Sequence, residues 1–152
     1  MQIKILLQAP EAVETDALGV ITFEKEGDAP GLSATAAAVN GAVIGWIADT
    51  YASGEFDGKA NELVAMPRPQ GLKAKRLVAV GAGKREQATD SAIRKAAGAF
   101  VRSVKGMAKS ACLVLDGASA SAETIAAAIE GAMLGAWEQD HHKTTGKKQS
   151  KR

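Results

Sequence analysis

Residues 77–80, Leu-Val-Ala-Val, form a continuous apolar run that ends directly in Gly81-Ala82-Gly83. A strand that is apolar on both faces needs cover on both faces, which places it inside a sheet flanked by helices. The chain supplies the cover. After Thr89, Asp90 and Ser91, which suit a helix start, Ile93, Ala97, Phe100, Val101 and Val104 fall on one helical face. Arg94, Lys95, Arg102, Lys105 and Lys109 fall mostly toward solvent.

The same alternation runs through the rest of the chain. Residues 2–8 and 18–24 read as strands, joined by a polar loop too short for a crossover helix, so they either pair antiparallel or sit apart in the sheet. Ser33 caps a helix predicted to run to about Ser53, with Val39, Val43, Trp46 and Ile47 on its inner face and Gly54 as its stop. Gly41 and Gly45 lie inside it, and close packing against the sheet is their expected reason. Residues 62–66 and 112–115 read as further short strands. Ser119 or Ser121 starts a last helix whose inner face is read as Ile125, Ile129, Ala132, Met133 and Ala136, ending near Trp137. The predicted fold is α/β, a three-layer α/β/α sandwich with a mixed sheet, over residues 1–140. Residues 141–152 lose apolar periodicity and read as a basic linker or disordered tail.

Composition narrows the function. Hydrophobic residues make up 46% of the 152, but only 4% are aromatic, so the core is built from Val, Ile, Leu and closely packed Ala. The net charge of +2 comes from the tail, where Lys143, Lys147, Lys148, Lys151 and Arg152 follow Asp140 without an acid among them. Such a tail gives at most non-specific, salt-sensitive contact with nucleic acid. Cys112 is the only cysteine and lies in an apolar run, which excludes an intrachain disulfide and a cysteine metal site. No apolar run approaches the roughly 20 residues that cross a bilayer. No membrane partner and a cytoplasmic location are the expectations.

Chemistry-bearing motifs are few. Gly81, Gly83 and Lys84 follow a strand, as phosphate-binding glycines do. The P-loop requires Ser or Thr after its lysine, where this chain has Arg85, and the dinucleotide pattern requires glycine where it has Glu86. A strand-end turn that needs glycine geometry is the favoured reading, with a ligand site at Gly81, Gly83 and Lys84 as the alternative. His141-His142 has no metal-ligand spacing around it, and no nucleophile–histidine pair is visible. Asp57, Glu62, Asp90 and Asp116 fall at turns and helix starts, where capping accounts for them. No catalytic and no metal-binding residue is assigned.

Spaced segments carry a resemblance. Leu32-Ser33 is followed by the turn Gly54-Glu55-Phe56-Asp57-Gly58-Lys59. Residues 76–84, RLVAVGAGK, are followed by Ile93-Arg94-Lys95-Ala96-Ala97-Gly98. Residues 130–137, EGAMLGAW, are followed by His142-Lys143-Thr144. In this order they resemble the N-terminal domain of the leucyl aminopeptidase family, the cytosol aminopeptidases, with Ala82 in place of a usual Leu and Trp137 and His142 in place of Tyr. The resemblance implies a macro-domain-like fold and an accessory role beside a catalytic domain of the same or a related polypeptide. It also implies metal-dependent release of N-terminal amino acids from peptides, with two divalent ions (Zn or Mn) in that catalytic domain and no cofactor here. The family's catalytic motifs do not occur in these residues, so this chain by itself is expected to be inactive. Some bacterial relatives are implicated in DNA binding. The alternative is a stand-alone macro-like module binding ADP-ribose-type ligands or another protein.

Overall fold

A computed structural model of the chain describes residues 2–6, 9–116 and 121–146. Its strands are β1 (Gln2–Leu6), β2 (Ala17–Glu26), β3 (Ala29–Gly31), β4 (Leu63–Pro67), β5 (Arg76–Gly81) and β6 (Ser110–Val114). Its α-helices are α1 (Ala34–Ala42), α2 (Trp46–Ser53), α3 (Asp90–Val104) and α4 (Ala122–Gly146). The sheet order is β1-β6-β2-β5-β4, and β3 pairs with the far end of β2. β1, β6, β2 and β5 run parallel, whereas β4 and β3 are antiparallel to their neighbours. The sheet is mixed, as expected. β1 and β2 sit apart, with β6 inserted between them.

Alternation along the central strands sorts the core into two halves. Leu18 and Val20 of β2, Leu77 and Ala79 of β5, and Cys112 and Val114 of β6 pack with Val39, Ile47 and Tyr51 of the α1–α2 layer. Ile21, Val78, Val80 and Leu113 point the other way, onto Phe100, Val101 and Val104 of α3. Cys112 is fully buried, as a small hydrophobe would be. A β-carbon on Gly19 would lie 2.8 Å from the Phe100 ring, so the glycine lets that ring rest on the sheet. Phe100 and Leu77 are completely buried, each worth about 1.5–3 kcal/mol of hydrophobic stabilisation.

Three sequence expectations are corrected. The helix predicted over 33–53 is broken at Val43-Ile44-Gly45 into α1 and α2. Ile44 and Gly45 both have positive φ, 57° and 79°. Asn40 spans the break, its carbonyl accepting from Gly45 N–H at 2.8 Å and its side chain from Ala48 N–H at 3.0 Å. Val39, Val43 and Ile47 still share the buried face. Gly41 and Gly45 do not pack on the sheet: a β-carbon on either would meet open space, and Gly45 is instead required by its left-handed backbone.

The third correction concerns α4. Ala132 is buried as read, but Ile129 and Met133 are 45% and 65% exposed. The helix turns a strip of small residues, Ala128, Gly131, Ala132 and Gly135, inward. A β-carbon on Gly131 would stand 2.0 Å from the Arg94 carbonyl oxygen, and one on Gly135 2.7 Å from that of Gly98. The α3 and α4 backbones approach too closely for large side chains between them, so those go outward. Ser121, rather than Ser119, is the cap seen: its hydroxyl accepts from Thr124 N–H at 3.1 Å. Ser119 lies outside the described residues. The helix also runs on past Trp137 to Gly146.

Candidate functional site

The loop after β5 is held by its own protein. The N–H groups of Gly81, Ala82 and Gly83 donate to the carbonyls of Glu62 (2.7 Å), Thr22 (2.8 Å) and Gly58 (3.1 Å). Three donors that a phosphate cradle would aim at a ligand are thus engaged, joining the end of β5 to Thr22 in β2, to Gly58 in the turn at residues 56–59 and to Glu62 beyond it. The glycines serve this contact. A β-carbon on Gly81 would lie 2.1 Å from the Lys59 carbonyl oxygen, and one on Gly58 2.1 Å from that of Phe23. Glu62 closes the same turn, its carboxylate accepting from the N–H groups of Asp57 and Lys59, both at 3.1 Å. This is the capping role expected of it.

Beside the loop a cleft of about 280 Å³ brings Gly81, Gly83 and Lys84 together with Thr89 and Lys95. The residues singled out from sequence are therefore neighbours in space, with Lys84 exposed at the rim. Thr89 caps α3 through its hydroxyl, which accepts from Ala92 N–H at 3.3 Å. Asp90 opens the same helix and accepts from the Thr124 hydroxyl at 2.9 Å, tying the starts of α3 and α4 together.

A second cleft was not foreseen. It encloses about 250 Å³ between the carboxyl ends of β2 and β6 and the start of α3. Its walls include Ile21, Phe23, Ile93 and Leu115, with Arg85 and Asp116 among its polar groups. Arg85 stands 5.0 Å from the Phe23 ring centre, donates to the Leu32 carbonyl at 3.1 Å and pairs with Glu26 at 3.4 Å. Each wall residue reads in sequence as ordinary core or loop. Only the parallel adjacency of β6 and β2 brings them together.

A further electrostatic cluster ties strand starts together. Asp16, just before β2, accepts from the N–H groups of Lys109 (2.8 Å) and Ser110 (3.3 Å), and pairs with Lys75 at 3.4 Å. The Lys109 N–H leads in holding its carboxyl below the ordinary value of 3.8. Among the described residues no group of three or more His, Cys, Asp or Glu could hold a metal ion. No helix among them is long and apolar enough to cross a membrane. The side chains of His141 and His142 lie outside the described residues.

α4 carries the most conspicuous surface feature. Ile129, Met133 and Leu134 are exposed together, and Ile129 and Met133 are one helical turn apart.

Comparison with known proteins agrees with this architecture. Residues 18–146 match the family model described as the cytosol aminopeptidase family, N-terminal domain. A probable cytosol aminopeptidase of Koribacter versatilis is 41% identical over 75% of this chain and 22% of its own length. That of Solibacter usitatus is 36% identical over 99% of this chain and 28% of its own length. The chain thus spans about a quarter of the length of these curated relatives. Among solved structures, a mutant of tomato leucine aminopeptidase shares the fold at a TM-score of 0.66 and 17% identity, over 89% of this chain and 28% of that one. The bottromycin maturation enzyme BotP in complex with Mn gives 0.58 and 27%, over 86% and 25%.

Proposed function

This chain belongs to the cytosol aminopeptidase family and is its N-terminal domain, and from that premise we propose that it is a non-catalytic docking domain of a metal-dependent aminopeptidase. The family match over residues 18–146 is the observation that carries the reading. The parent reaction is release of N-terminal amino acids from peptides by a metal-activated water, with two divalent ions (Zn or Mn) in a catalytic domain. The Mn in the BotP complex supports a divalent metal for that domain. The described residues here offer no donor set for one, so no chemical step is assigned to them. The relatives' name supports a cytoplasmic setting.

The domain's partner in this proposal is the catalytic domain of the same or a related polypeptide. α4 is the last element among the described residues, and about three quarters of the relatives' length lies outside the part matched. A partner that covers Ile129, Met133 and Leu134 removes their apolar surface from water, about 25 cal/mol for each Å². Oxidative footprinting tests the contact. Met133 is expected to oxidise readily in this chain alone and to be protected when the catalytic domain is present. Equal oxidation in both states contradicts the docking face.

A second reading keeps a ligand at Gly81, Gly83 and Lys84. The cleft that gathers them with Lys95 favours it. Because the loop's N–H groups are engaged, the two lysines would hold such a ligand. Calorimetric titration with ADP-ribose decides: saturable heat that Lys84→Ala removes supports it, and no heat at millimolar ligand ends it.

A further inference from the structure

Strand β4 ends the sheet on its side and pairs only with β5 among the described residues. In an antiparallel ladder, successive residues turn their backbone groups alternately to one neighbour and to the other. The two ends of β4 fix which residues face which way. Arg68 N–H donates to the Lys75 carbonyl at 2.8 Å, and the Glu62 carbonyl accepts from Gly81 N–H at 2.7 Å. Between them the register sets Val64 opposite Ala79 and Met66 opposite Leu77. Residues 62, 64, 66 and 68 therefore turn toward β5, and Leu63 and Ala65 turn their N–H and carbonyl groups to the open edge. Among the described residues no hydrogen bond uses those groups.

Unpaired strand groups take an extended backbone, which adds as a further strand. Pro67 has no N–H and sets its ring on the same edge, so pairing stops short of it. Asn61, with φ of 69°, leaves the extended conformation at the other end. Charge then selects the partner. Glu55, Asp57 and Glu62 outnumber Lys59 at the start of β4, where Asp57 N–H donates to the Glu62 carboxylate at 3.1 Å. At its end stand Arg68 and, opposite Pro67 on β5, Arg76. Glu55, Asp57, Arg68 and Arg76 form no ion pair among the described residues. A strand that is acidic at its start and basic at its end complements itself when turned antiparallel.

We propose that β4 pairs with β4 of a second copy of this chain, about a two-fold axis perpendicular to the sheet between the two Val64 residues. Leu63 N–H donates to the Ala65 carbonyl of the second copy and Ala65 N–H to its Leu63 carbonyl, and the symmetry repeats both bonds. Val64, half-buried against the α1–α2 core, meets its own copy on that face. Arg68 and Arg76 approach the acidic turn of the second copy. The result is one continuous sheet, formed independently of the α4 face.

Sedimentation velocity of the 152-residue chain from about 50 μM to about 1 mM tests the pairing, with amide exchange of residues 63–66 followed by NMR. So short an edge makes a weak interface, and a dimer with a dissociation constant on the order of 100 μM is expected. Across that range exchange at Leu63 and Ala65 slows about threefold, while Val64 and Met66, already bonded to β5, do not change. Ala65→Pro removes an N–H that no bond within the chain uses and sets a ring on the edge, raising the dissociation constant about tenfold. Arg68→Glu also weakens the dimer, by placing like charge against the acidic turn. Should Ala65→Pro unfold, the exchange pattern of the unaltered chain decides. A chain that stays monomeric throughout overturns the proposal. So does a dimer that leaves exchange at Leu63 and Ala65 unchanged, or one that Ala65→Pro does not weaken. Slowing of these amides only when the catalytic domain is added assigns the edge to that domain and overturns the pairing of copies.

Discussion

The hydroxyl of Tyr51 donates a 2.6 Å hydrogen bond to the backbone carbonyl of Phe23, pinning α2 to the end of β2. Tyr51 is 1% exposed, and its ring meets Phe56 edge-on with centroids 5.2 Å apart. Tyr51→Phe keeps the ring contact and removes the donor. The expected loss is about 1–2 kcal/mol in urea unfolding, the cost of a buried carbonyl left without this partner. Burial pushes the phenol above its ordinary 10.0. The unfolded chain therefore ionises first, and the stability tied to the neutral phenol is full below pH 10 and lost as pH rises through the folded value. Tyr51→Phe is expected to flatten that alkaline loss.

Asp16 gives the opposite pH dependence. Its carboxyl is held below 3.8, so its contribution is present above that value and lost as pH falls through the folded one. Asp16→Asn is expected to be less stable than the unaltered chain at neutral pH, and the gap is expected to close as pH falls below about 4. Thermal melts at neutral and acid pH measure it. A gap that does not depend on pH contradicts the role given to the carboxylate.

Two glycine-to-alanine changes in helices should have opposite signs. Gly131→Ala drives a methyl into the Arg94 carbonyl and is expected to cost about 1–3 kcal/mol as α4 is pushed off α3. Gly41→Ala enters open space in α1 and is expected to gain up to about 1 kcal/mol from helix propensity. Thermal midpoints of the two variants check the α3–α4 contact against a control of the same chemistry.

That contact also shows where sequence reading stops. The buried central strands were legible because Leu77–Val80 and the residues around Cys112 are apolar on both faces, and their cover was legible because Ile93, Phe100, Val101 and Val104 keep helical spacing. The inner face of α4 was not. Apolar periodicity picks large side chains, but backbones in close contact select glycine and alanine and send Ile129 and Met133 outward. The Gly81–Lys84 turn was legible as glycine geometry, whereas the carbonyls that take its N–H groups come from Thr22, Gly58 and Glu62. The cleft at β2 and β6 was invisible for a similar reason. Phe23 and Leu115 become neighbours of one cavity only through the insertion of β6 beside β2.

Ile44 is a local conflict of the same kind. It is β-branched, has φ of 57° and is 83% exposed, so its side chain gains little for the strain. Ile44→Asn is expected to stabilise the chain by about 1 kcal/mol, because asparagine tolerates the left-handed region that a branched side chain resists. Chemical denaturation of the variant measures it, and a loss of stability contradicts the strain assigned to the break between α1 and α2.

In the proposed role this domain docks and does not catalyse. The most direct measurement is hydrolysis of a leucine amide substrate by the purified 152-residue chain with Mn²⁺ or Zn²⁺ supplied. No turnover above the metal-only control is expected. Turnover that follows the chain through purification and disappears with a chelator contradicts it.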